Sequence, residues 1–202
     1  AMQNIIIFAM VLTISVSPFF RGLFFDLETN LFLTILALLS VSYFLIKSAK
    51  KEAVYFNKAL LAAASLFTAA YILSFIGAVN VRENVASLLQ AAEYLIVFIT
   101  LVDYYHDKKE KFVLSVILPV TIMSFASAVL DLAATAGPYR ILGTVYRGIG
   151  SYFQYRNTAS IYYVIGLVFL LTILNTSGNI IPRSLLTGAG SIFLTAWLLN
   201  GS

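Results

Sequence analysis

Three arginines and five aromatic residues share one short stretch of this chain. Residues 137–157 read GPYRILGTVYRGIGSYFQYRN and interleave Arg140, Arg147 and Arg156 with Tyr139, Tyr146, Tyr152, Phe153 and Tyr155. A guanidinium offers a planar fork of donors that grips phosphate oxygens in pairs, which the point charge of lysine does not reproduce. The chemistry that suits such a set is capture of an anionic, phosphate-bearing partner. The competing reading is an interfacial belt, with tyrosines at headgroup depth and arginine heads reaching toward water. Composition alone leaves both readings open.

Two acids lie inside apolar sequence. Asp131 sits near the end of one apolar run, next to the arginine stretch, and Glu93 lies within another. Carboxylates at such depth are costly and are paired or functional. Asp131 is read either as a structural ion pair, as a group that orients a phosphate-binding arginine, or as a base for an acceptor hydroxyl. The last role requires hydrogen-bond reach to the attacking group. Glu93 is expected to face a neighbouring helix and not lipid. The chain has no cysteine and one histidine, so disulfides, thiol chemistry and a His-rich metal cluster are excluded. That histidine, His106, lies among Tyr104, Tyr105, Asp107, Lys108 and Lys109 and is expected to be a solvated loop residue. Neither a metal nor a cofactor is expected. No contiguous basic face forms, which argues against nucleic acid as a partner.

The elements that carry these residues are legible from hydropathy. Hydrophobic residues make up 60% of the 202 positions and charged residues 11%, where a soluble domain carries about a quarter charged. Seven apolar runs cover about residues 5–20, 31–46, 59–79, 85–102, 112–136, 158–174 and 185–199. Backbone groups in lipid must pair within their own segment, so each run is expected to be a helix. The period-2 alternation of a membrane barrel is absent. The fold class is therefore all-α, a polytopic transmembrane bundle of about seven spans forming one domain over residues 1–202. Pro119 falls inside the fifth run and is expected to kink it, whereas Pro18, Pro138 and Pro182 fall at run ends. The first run follows no basic residue and precedes no cleavage site with a soluble domain behind it, so it reads as a true span.

Charge gives the spans a direction. The even connections hold Lys47, Lys50, Lys51, Lys58, Lys108, Lys109, Lys111 and Arg183, and the odd ones hold Arg21, Arg82, Arg140, Arg147 and Arg156. Basic residues concentrate on the cytoplasmic side, which places the even connections and the N-terminus inside. Three arginines in one outer connection then need a reason, and an anionic partner at the outer leaflet supplies one.

The residues 147–160, RGIGSYFQYRNTAS, resemble the signature of the O-antigen ligase and polymerase family. Its members show an Arg, a short Gly/Ser-rich turn, an aromatic, and an Asn-Pro-Asn or Tyr-Pro-Asn-Thr step opening a helix rich in Ala and Tyr. Here that step is Tyr155-Arg156-Asn157-Thr158, with Arg156 where Pro is usual, so a looser turn is expected. Two further segments are similar to family features: residues 18–25, PFFRGLFF, after the first run, and residues 78–84, AVNVREN, after the third. All three fall in odd connections, on the outer side assigned from charge. The resemblance runs over essentially the whole chain, as the front half of a family member.

The resemblance implies a metal-independent glycosyltransferase at the outer face of the bacterial cytoplasmic membrane. Such an enzyme takes a glycan from an undecaprenyl-diphosphate carrier, uses no nucleotide sugar, and works within the lipid bilayer. Preorganised cations would hold the diphosphate leaving group. Arg147 is the leading candidate, with Arg82 and Arg140 as helpers, Arg156 beside them and Arg21 weaker. Tyr152, Gln154, Tyr155 and Asn157 would contact the glycan or shape the turn. Family members carry a functional histidine in a large outer loop further along, and His106 does not match it. The chain, closing on Leu199-Asn200-Gly201-Ser202, is thus expected to be a fragment without the complete active site. Two other classes stay open: a lipid-linked glycan flippase or transporter, and a non-catalytic membrane subunit. The glycan, its acceptor, and the choice between ligase and polymerase are not set by these residues.

Overall fold

A computed structural model describes residues 2–19, 26–77, 80–141, 144–146, 156–176 and 182–200. Helices dominate them. In chain order they are α1 (Met2–Val16), α2 (Asp26–Ala49), α3 (Lys58–Leu73), α4 (Val81–Asp107), α5 (Lys109–Phe112), α6 (Leu118–Ala136), α7 (Arg156–Thr176) and α8 (Arg183–Leu199). Each of the seven apolar runs corresponds to one helical stretch, with α5 and α6 sharing the fifth. Six stretches are long and apolar enough to cross a membrane by length and composition, and α8, at 17 residues, is shorter.

Residues 113–117 form a π-turn that joins α5 to α6 without a break in the helical run Lys109–Ala136. Pro119 explains it. Proline lacks an N–H and its ring collides with the carbonyl four residues back, whereas the wider π-turn relieves that crowding. The kink expected at Pro119 therefore takes the form of a π-turn just before it. Pro18 lies in a 3-10 turn closing α1, Pro138 follows α6, and Pro182 caps α8, so the other prolines mark helix ends as expected.

One feature departs from an all-helical chain. The stretch after α6 holds a two-stranded antiparallel hairpin, β1 (Tyr139–Ile141) with β2 (Thr144–Tyr146), in which Tyr139 pairs with Tyr146 and Arg140 with Val145. Alternation over three residues is too brief to read as a strand from sequence.

The chain divides into two compact units. One comprises Ala1–Met10 and Leu31–Phe112, the other Val11–Asn30 and Val113–Ser202. In the second unit α6, α7 and α8 pack on one another around Ala128, Ala159, Tyr163, Phe193 and Ala196, all essentially inaccessible. Helices this apolar would gain no hydrophobic force from one another in a lipid surround, where close approach through small residues and hydrogen bonds would hold them. Gly166 shows how close: a Cβ there would meet the Ser124 hydroxyl of α6 and would lie 2.7 Å from the Phe193 ring of α8. In the first unit α3 packs along α4, yet no residue of α3 is buried.

Candidate functional site

Asp131 lies five residues, or about 8 Å along the axis, before the end of α6, and the hairpin begins three residues beyond that end. Its carboxylate is fully buried, and the hydroxyl of Tyr163, equally buried on α7, donates to its Oδ2. Around this bond runs a polar seam. Ser124 Oγ donates to the Tyr162 carbonyl at 3.0 Å, and Tyr162 Oη donates to the Ser15 carbonyl at 2.9 Å. Asn200 Nδ2, just past α8, donates to Ser160 Oγ at 2.5 Å. Polar groups cut off from water must find such partners, and here their partners lie on different helices. The seam therefore ties α6, α7, the end of α8 and the last turn of α1 together.

The arginines themselves are placed as follows. Arg140 sits in β1 with an exposed side chain. Arg82 is the second residue of α4 and is also exposed. Arg140 belongs to one unit and Arg82 to the other. Arg156 and Asn157 open α7 in backbone, and their side chains are outside the described residues. Arg21, Arg147, Tyr152, Gln154 and Tyr155 lie outside the described residues as well.

Two sequence features gain a structural context here. The turn expected to be looser for want of a proline lies outside the described residues, and α7 starts at Arg156 itself. Proline suits a first helical position because the N–H there has no intrahelical partner, and arginine fills the same position without breaking the helix. The AVNVREN segment also acquires a local cause. Asn80 caps α4: its side chain accepts from the Glu83 N–H at 3.4 Å and donates to Glu83 Oε1 at 2.7 Å. The pairing is a variant of the capping box, in which the side-chain amide of Asn80 and not its backbone N–H donates to the N3 glutamate. Asn80 and Glu83 are thus accounted for by helix initiation, and Arg82 between them is exposed.

A second polar centre escaped the sequence reading. Lys47, assigned to a connection, is a buried residue of the last turn of α2. Its Nζ lies 2.7 and 2.6 Å from the two oxygens of Asp103 and 2.8 Å from Asp107 Oδ2. Asp103 is fully buried and also accepts from Tyr43 Oη at 2.7 Å and from the Tyr55 backbone N–H at 2.6 Å. His106 likewise belongs to the last turn of α4 and not to a loop. It is half-exposed, lies 3.2 Å from Asp107 through Nδ1, and stacks on Tyr55 with ring centroids 3.8 Å apart. The signal was available: Lys47 and Asp103 each end an apolar run on the same side, where opposite charges can meet.

Glu93, expected to face a neighbouring helix, is partly buried. Its Oε1 is shielded, and among the described residues it meets no hydrogen-bonding partner. The described residues hold no cluster of three or more His, Asp or Glu that would suit a metal ion.

No family model matches this sequence, and no curated protein or solved structure matches it either.

Proposed function

We propose that this chain belongs to a bacterial cell-surface glycan ligase or polymerase, working at the outer face of the cytoplasmic membrane on an undecaprenyl-diphosphate-linked glycan. The observation that carries the reading is the Asp131–Tyr163 bond. It fixes the two helices that flank the arginine–aromatic connection, close to the ends from which that connection emerges. An electrostatic catalyst needs its cations preorganised where charge develops, and a loop held at both feet meets that need better than a free one.

In this reading an acceptor hydroxyl attacks the anomeric carbon of the glycan. The bond from that carbon to the carrier diphosphate breaks, the diphosphate leaves with both electrons, and the proton of the attacking hydroxyl passes to the departing diphosphate. Arg147, assisted by Arg140 and Arg156, neutralises the leaving group, and Arg21 contributes from the first odd connection. Tyr152, Gln154, Tyr155 and Asn157 contact the sugar or set the turn. Asp131, bonded inside the helix pair, serves as a positioning residue. The apolar stretches are read as spans with the N-terminus in the cytoplasm, from the excess of lysine in the even connections.

The test is complementation of a strain lacking the gene that encodes this chain. Arg147→Ala and Arg147→Lys are both expected to abolish glycan transfer at normal protein levels, because an ammonium does not replace a bidentate fork. Normal transfer by Arg147→Ala would remove Arg147 from the site, and normal transfer by Arg147→Lys alone would reduce its role to charge.

A further inference from the structure

The first unit contains a device that the glycan reading does not use. The connection from α2 to α3 begins with a tight reversal. Lys51 N–H donates to the Ser48 carbonyl at 2.9 Å and Glu52 N–H to the Lys47 carbonyl at 3.0 Å. This is the pair of bonds of a Schellman stop, and Lys51 occupies its left-handed position with φ 55°. Glycine is usual there because a side chain costs energy in that conformation. A residue persists in such a state where its surroundings over-determine it.

The surroundings are specific. Past the reversal, Glu52 Oε2 accepts from Gln3 Nε2 at 2.7 Å. Three residues on, the Tyr55 N–H reaches Asp103 and the Tyr55 ring covers His106. Asn57 then caps α3, its side chain accepting from the Ala59 and Leu60 N–H groups. Every second or third residue of the connection is therefore fastened. The anchor is Asp103, held in place by Lys47 and Tyr43.

What the fastening holds is α3. This helix buries no residue, and apolar contact gives little net attraction between helices in lipid. At its far end, among the described residues, the hydrogen bond to α4 is an exposed one, Asn84 Nδ2 to the Ser74 carbonyl at 3.3 Å. The near end carries the stronger attachment.

We propose that the Asp103–Tyr55 junction is a latch that holds the α2–α3 connection and the near end of α3 on α4, and that opening it releases both while the Lys47-centred helix pair stays folded. The ion pair and the latch are separable. Lys47, Tyr43 and Asp103 join α2 to α4, whereas the Tyr55 N–H alone joins the connection to Asp103.

The chain has no cysteine, so two can be placed without background. Spin labels at Ala53→Cys in the connection and Glu110→Cys in α5, both in the first unit, report the junction as a distance distribution in bilayer nanodiscs. The parent double-cysteine protein is expected to give a single narrow peak. Lys50→Met, which alters an exposed pair 3.8 Å long, is expected to leave that peak unchanged. Tyr55→Pro removes the N–H and the ring while sparing the ion pair, and Lys47→Met/Asp103→Leu replaces the buried ions with apolar side chains that tolerate burial. Both are expected to lose the narrow peak and shift to longer, broader distances, with helical circular dichroism and a single elution peak retained. A narrow, unshifted distribution in either folded variant overturns the latch. Should the double variant not fold, Tyr55→Pro decides alone.

Discussion

At the scale of single residues, the second unit is organised around side chains that are polar or very small. Tyr163 and Gly166 lie one turn apart on α7, and each faces a partner on α6, Asp131 and Ser124 respectively. Removing the Tyr163 hydroxyl takes one donor from a buried carboxylate. Tyr163→Phe is expected to lower stability by about 1 kcal/mol, the usual scale for an interhelical hydrogen bond in a membrane. Gly166→Ala drives a methyl into Ser124 and the Phe193 ring, for an expected loss of about 1–3 kcal/mol. Gly188, where a Cβ meets nothing within 4 Å, is the control, and Gly188→Ala should lose nothing. Reversible unfolding in mixed micelles measures all three. Equal stability of the Gly166 and Gly188 variants would contradict the packing described for α6, α7 and α8.

This is also the scale at which sequence is least legible. Asp131 stood out because a carboxylate in an apolar run is conspicuous. Tyr163, its partner, looked like any aromatic in a span, and only the packing of α7 on α6 brings the two together. Lys47 misled for a different reason. A lysine at the edge of an apolar run reads as the first loop residue, and its burial depends on Asp103, 56 positions away. Pairings of that range carry no local pattern.

At the scale of elements, hydropathy located the helices and missed their terminations. The runs are visible because lipid forces the backbone to pair locally. Their ends are set by capping and by backbone conformation, which leave fainter marks. The AVNVREN segment is informative here, since two of its polar residues begin a helix and need no ligand to explain them. Asn80→Ala removes the cap of α4 and is expected to lower stability by about 1 kcal/mol, with a smaller effect for Asn80→Ser, which can still accept the bond. Thermal unfolding in detergent measures both. A neutral Asn80→Ala would contradict the capping role of that asparagine. The hairpin after α6 is the other element not anticipated, because three-residue strands have no room to show a period. The arginine-rich connection is therefore more ordered at its start than a reading of residue types suggests.

At the scale of the whole molecule, the predicted orientation rests on lysines. With Lys47 buried in an ion pair, it no longer counts as a free loop charge, and seven of the eight even-side basic residues remain to set direction against five arginines. The bias survives. A single cysteine at Arg140 is expected to react with an impermeant maleimide from outside intact cells, and one at Lys109 is expected to react only after the membrane is opened. The reverse pattern would invert the topology and put the arginine connection on the cytoplasmic face, away from the acceptors of a surface glycan.

The central claim concerns the glycan carrier, and the lipid-linked pool reads it directly. Mass spectrometry of extracted carrier lipids, in a strain lacking the gene that encodes this chain, is expected to show accumulation of undecaprenyl-diphosphate-linked glycan together with loss of one surface polysaccharide. Restoring the gene should reverse both changes, and the Arg147→Ala form should reverse neither. An unchanged carrier pool with an unchanged cell surface would contradict the account.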